Sequence, residues 1–177
     1  MSSSSTIPEA RTNVPLVIAF TDVSGYSRAA AGRADEELAA FADELYAATD
    51  RHVQGAGGRV VKHVGDGSLL AWPASEADPA AKALLALRED VNRLLKKRGW
   101  NSELVVRVHV SDVVAGPFGA AGRFDVIGHG VMIAARLEAR TISFSQAAFR
   151  ALGPEMRALL KKHTPPVVYV PANDPRP

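Results

Sequence analysis

The run Pro15-Leu16-Val17-Ile18-Ala19-Phe20 is apolar without a break and leads directly into Thr21-Asp22-Val23-Ser24-Gly25-Tyr26-Ser27. A continuous apolar run of this length suits a strand buried on both faces, which demands a covering layer above and below it. The strand therefore ends in an acid. A second acid sits at the tip of a tight hairpin, in Lys62-His63-Val64-Gly65-Asp66-Gly67, where glycines flank the carboxylate. Two carboxylates at strand ends are what a pair of hard divalent cations needs. Mg²⁺ prefers oxygen ligands and is often held by one or two carboxylates plus substrate phosphates. The pair points to phosphoryl-transfer chemistry on a nucleotide.

The rest of the chain is read around these two turns. Helical spacing starts at Asp35, with Leu38, Phe41, Leu45 and Ala48 on one face, and Gly55-Ala56-Gly57-Gly58 ends it. Arg59–Val64 and Ser68–Trp72 are short strands. Ser75 opens a long helix carrying Leu84, Leu87, Val91 and Leu94. A strand follows at Leu104–Val110, then a glycine-bearing hairpin at 113–127 and a short helix at 129–139. A strand at 141–144, helices around 146–162 and a last strand at 166–170 complete the pattern. Alternating strands and helices predict an α/β (α+β) fold with helices packed on one sheet.

Residues 1–14 read as a disordered leader, 15–170 as a single domain and 171–177 as a flexible tail, since 177 residues fit one domain. No run approaches the ~20 apolar residues of a membrane-spanning helix, and the first residues lack the apolar block of a signal peptide. The absence of cysteine excludes disulfides and thiolate metal sites and suits a cytoplasmic location. A net charge of +2 is too small to argue for nucleic acid. Lys96-Lys97-Arg98 falls where a helix ends before Gly99, so it complements the helix dipole. No Gly-Lys-Ser/Thr follows the glycines at 55–58, and there is no Gly-x-Ser-x-Gly elbow.

Taken in order, Phe20–Ser27, Gly58–Gly67, His109–Gly116, Asp125-Val126-Ile127-Gly128 and Ala134-Ala135-Arg136-Leu137-Glu138 resemble the catalytic domain of the class III adenylate and guanylate cyclases, over roughly residues 15–152. The resemblance implies a ferredoxin-like palm with a central, mostly antiparallel sheet. It also implies a head-to-tail dimer, a homodimer or a heterodimer with another cyclase chain, with sites at the interface. Asp22 and Asp66, with the Val23 carbonyl, would bind two Mg²⁺ or Mn²⁺ ions, one activating the ribose 3′-hydroxyl and one holding the triphosphate. Lys62 and Asp125 fall where the family selects its purine. A lysine donor toward adenine N1 and a carboxylate acceptor toward the 6-amino group match ATP rather than GTP. Arg136 matches the arginine that stabilises transition-state charge. One protomer would supply the aspartates and the other the purine pair and arginine. The surface around Tyr26, Trp72 and the 113–127 hairpin is then expected near the interface.

The match breaks at Val131-Met132-Ile133-Ala134-Ala135-Arg136, where the family has asparagine in place of Met132. That asparagine orients the ribose, and a thioether cannot donate in its place. His129 and Gly130 replace an acidic-small pair, Ser111 stands at a usual glycine, and the segment after Glu138 is short. Three readings follow: a slow adenylate cyclase, a degenerate homologue that binds nucleotide or a partner in signalling, and one half of a heterodimer whose other chain supplies the asparagine.

Overall fold

In the computed structural model, which describes residues 10–174, the apolar run is the middle of β1 (Thr12–Val23). Its residues alternate between two cores: Val17, Ala19 and Val23 face one way, Leu16 and Ile18 the other, and all are buried. β1 lies between two antiparallel neighbours, β3 (Gly67–Pro73) and β4 (Leu104–Phe118). The sheet has eight strands in the order β2-β3-β1-β4-β6-β8-β7, with β5 paired to β4. The outer members are β2 (Arg59–Val64), β5 (Arg123–Ile127), β6 (Ile142–Phe144), β7 (Leu160–His163) and β8 (Val168–Pro171). Among the described residues only the β4–β6 pairing is parallel. This is the mixed α+β, ferredoxin-like palm that the motifs implied.

Two long helices cover the first face of the sheet. After the short α1 (Tyr26–Ala30), α2 (Asp35–Gly55) buries Phe41, Leu45, Ala48 and Val53, and α3 (Ala77–Lys97) buries Leu84, Leu87, Val91 and Leu95. Side chains three or four residues apart share one helix face, so each helix turns a single apolar stripe onto Val17, Ala19, Leu70 and Val106. Arg98 caps α3 and donates to Glu44 at 2.9 Å, tying the two helices together. The second face carries less cover. There α4 (His129–Arg136) buries Ala134 and β5 buries Val126 against Leu16, Ile18, Leu69 and Val113. Met132 and Ile133 remain 48% and 49% exposed on α4, and Val64 is 65% exposed at the end of β2.

Several boundaries differ from the sequence reading. β1 starts at Thr12, inside the span read as leader. The strand at Leu104–Val110 continues to Phe118, so it and the first arm of the 113–127 hairpin are one element. A 3₁₀ turn at Ala74–Glu76 precedes the long helix, which begins at Ala77. The helical reading of 146–162 divides into α5 (Gln146–Ala151) and α6 (Pro154–Ala158) because Pro154 cannot continue a helix. Its last residues are the edge strand β7, whose Lys161 and Lys162 suit an unpaired edge. The tail is fixed as far as it is described. Asp174 is buried, bonds Thr141 through its carboxylate and accepts Lys161 Nζ on its carbonyl at 2.7 Å. Residues 1–9 of the expected leader and 175–177 of the expected tail lie outside the described residues. Trp72 cannot be an interface residue of a dimer: it is wholly buried in the α2–α3 core. Tyr26 packs on Phe41 and Trp100 instead of standing clear.

Candidate active site

The β2–β3 connection is a two-residue loop, with Val64 opposite Gly67. Gly65 takes the first central position at φ 59°, and no other residue type has positive φ in the described chain. That is the II′ pattern, whose twist matches the strands it joins. Tyr46 Oη donates to the Gly65 carbonyl at 2.6 Å and pins the loop. On the other side, Thr21 of β1 pairs with Ser68 of β3, so Asp22 and Asp66 emerge together where the two strands end. Gly67 makes that approach possible, since a Cβ there would lie 2.4 Å from the Thr21 carbonyl oxygen.

Asp66 Oδ2 accepts the Val23 N–H at 3.2 Å, so the hairpin acid is tied to the residue after the strand acid. Partial burial holds the Asp22 carboxyl above the ordinary range. The neighbouring Asp66 charge raises it further, Arg107 opposes the rise and a hydrogen bond with Asp66 adds to it. Two like charges this close favour a neighbouring positive charge.

Phe20, Asp22, Lys62, Leu69 and Arg107 lie on one face of the sheet because each is a register partner or second neighbour of another. With Val64 and Ala135 they line a cleft of about 370 Å³. Lys62 Nζ donates to Asp125 Oδ2 at 2.6 Å, across β2 and β5, while Asp125 Oδ1 accepts its neighbour's N–H from Val126 at 2.8 Å. The structure thus brings Asp22 to Asp66 and Lys62 to Asp125. It does not bring Arg136 to either pair. Arg136 ends α4 and lines a separate cleft of about 540 Å³ with His129, Met132, Leu137 and Val167. His129, Met132 and Arg136 share one helix side by their spacing.

A family model for the adenylate and guanylate cyclase catalytic domain matches residues 9–162. The chain belongs to that family. The adenylate cyclase of Anabaena cylindrica is 24% identical over 136 residues, which are 71% of this chain and 27% of that protein. The chain therefore spans about a quarter of that relative's length. Among solved structures, a bacterial light-regulated adenylyl cyclase superposes with TM-score 0.80 at 16% identity, covering 94% of this chain and 53% of the other. The adenylyl cyclase CyaB from P. aeruginosa superposes with TM-score 0.79 at 17% identity, covering 94% and 97%.

The donor set of this cyclase domain fits the divalent ions its family uses. Asp22 and Asp66 are hard oxygen donors placed side by side, and no group of three or more His, Cys, Asp or Glu side chains converges among the described residues. The protein offers two carboxylates, and a bound ion would need phosphate or water oxygens for its other ligands, an arrangement common for Mg²⁺. Sequence reasoning missed Arg107 in this cleft. Its alternation with Val106 and Val108 was visible, but on which face of the sheet it lies depends on the pairing with Phe20.

Proposed function

We propose that the chain is one half of an adenylate cyclase that converts ATP to cyclic AMP and pyrophosphate at the interface of a dimer. The observation that carries this reading is the interacting pair of carboxylates, Asp22 in the cleft and Asp66 tied to the neighbouring Val23 N–H. Two Mg²⁺ or Mn²⁺ ions would bind Asp22, Asp66 and the Val23 carbonyl and supply Lewis acidity toward the α-phosphate. The ribose 3′-hydroxyl gives its proton to solvent water as its oxygen attacks the α-phosphorus, the bond from that phosphorus to the bridging oxygen breaks, and pyrophosphate leaves with the electron pair. Lys62 and Asp125 select adenine by donating to N1 and accepting from the 6-amino group. In this structure they satisfy one another at 2.6 Å, so the purine edge inserts between them. Arg136 stabilises the charge on the α-phosphate.

The separation of Arg136 from Asp22, which line different clefts of one chain, supports a second protomer that supplies the arginine. The exposed Val64, Met132 and Ile133 are apolar surface for that partner to cover. Exposure of Met132 beside Arg136 also favours a second reading, in which a different cyclase chain supplies the missing ribose contact. The deciding experiment is purified protein with Mn²⁺ and either ATP or GTP, assayed for cyclic product. Cyclic AMP that disappears in Asp22→Asn supports the homodimeric enzyme. Metal-dependent ATP binding without product, restored to turnover by a cyclase chain carrying the asparagine, supports the heterodimer. Neither binding nor product rejects both.

A further inference from the structure

The cleft that holds Asp22 also holds a cation to which the metal and purine assignments give no task. Arg107 stands opposite Phe20 across the β1–β4 pairing, on the face that carries Asp22. Its Nε donates to the Leu137 carbonyl oxygen at 3.0 Å, just beyond the end of α4, which fixes the guanidinium plane. Its two terminal nitrogens have no hydrogen-bond partner among the described residues, and its charge reaches Asp22 across the same cleft of about 370 Å³ without a direct ion pair. Lys62 is the other cation lining that cleft, and Asp125 engages its ammonium at 2.6 Å. A guanidinium anchored by one nitrogen and open at two presents a rigid fork matched to phosphate oxygens.

We propose that Arg107 is a built-in cation of the metal half-site: it binds phosphate oxygens of the nucleotide directly and supplies part of the positive charge that divalent ions bring there. The inference rests on the reading of this cleft as a nucleotide site. A polyphosphate entering beside Asp22 and Asp66 meets two carboxylates, which repel it until cations intervene. Arg107 lowers that repulsion before any metal arrives, so the cleft retains polyphosphate affinity when metal is removed. Ions then add to an existing phosphate contact.

The test uses the full chain and tripolyphosphate as the probe, titrated calorimetrically first in EDTA and then with Mn²⁺. Wild type is expected to bind in EDTA, and Arg107→Met to bind about 10-fold or more weakly, the usual value of a charge-assisted pair. Arg107→Lys, which keeps the charge but loses the fork, falls between them. Asp22→Asn is expected to tighten binding in EDTA and weaken it with Mn²⁺. Arg107 also anchors the end of α4, so melting temperatures accompany each titration, and the lysine variant decides the matter if the methionine variant is poorly folded. No metal-free binding by wild type, or equal binding by wild type and both variants, overturns the proposal. If that happens while Mn²⁺-dependent ATP binding and cyclic AMP formation persist, the cyclase reading stands alone. Arg107-dependent binding in EDTA with no added effect of Mn²⁺ supports the cation and removes the metal site.

Discussion

Substituting Gly67 by alanine tests whether backbone proximity, and not the acids alone, makes the site. The added Cβ would lie 2.4 Å from the Thr21 carbonyl oxygen, about 0.6 Å inside the 3.0 Å below which real Cβ contacts essentially never fall. The obstacle is backbone in a paired strand, so it cannot swing aside as a side chain would. Either β3 slides from β1 or the Gly65-Asp66 loop tilts away. Overpacking of this kind costs about 1–3 kcal/mol, which for a domain of this size lowers the melting temperature by roughly 2–12 °C. The displacement also exceeds the ±0.2 Å or so that metal–ligand distances tolerate. Metal-dependent ATP binding should therefore weaken by about 10–100-fold, the range seen when groups that orient metal ligands are disturbed.

Gly57→Ala is the matched control. Gly57 has φ 71° with open space around it, so alanine there costs about 1–2 kcal/mol of left-handed strain and touches nothing. Both variants should melt earlier, measured by calorimetry, and only Gly67→Ala should lose Mn²⁺-dependent ATP affinity. A Gly67→Ala protein indistinguishable from wild type in both measurements refutes the reasoning. So does equal loss of metal affinity in the Gly57 control.

Four shorter predictions follow from the same geometry. Asp22→Ala should abolish Mn²⁺-dependent ATP binding in titration calorimetry while leaving the fold intact, because the residue packs in neither core and only its carboxyl is partly shielded from water. Lys62→Glu with Asp125→Cys should lower the ATP-to-GTP affinity ratio, since selectivity comes from polar groups left unpaired against the wrong purine edge; an unchanged ratio removes the purine role. Met132→Asn should raise turnover about 10-fold if the chain is a slowed enzyme, with the effect mainly in kcat; melting should change little, since Met132 is 48% exposed. Burial depresses the His109 pKa below 6.5, so its neutral form contributes stability that is complete above pH 6.5 and is lost as pH falls toward the folded value. The melting temperature should drop on acidification from pH 7.5 to about 5.5, and less so in His109→Gln.

What could be read from the sequence divides by the range of the interaction. Local chemistry was legible: the Gly65-Asp66 loop, the two-sided burial of Leu16 to Ala19 and the helix stripes each follow from residues a few positions apart. The ion pair of Lys62 with Asp125 spans 63 residues and was not legible: the resemblance set both residues at one purine edge, but periodicity does not say which strands meet. Trp72 was misplaced for a related reason. A large aromatic near a strand end suits either an interface or a core, and only the packing of α2 and α3 over β3 decides. Helix ends were illegible where tertiary partners set them. α4 stops at Arg136 because Leu137 turns extended and offers its carbonyl oxygen to Arg107, 30 residues earlier in the chain. That contact joins the end of the helix carrying Arg136 to a residue lining the Asp22 cleft, so the two clefts share a hydrogen bond. A substitution that frees Leu137 should therefore disturb both, which neither motif predicts when read alone.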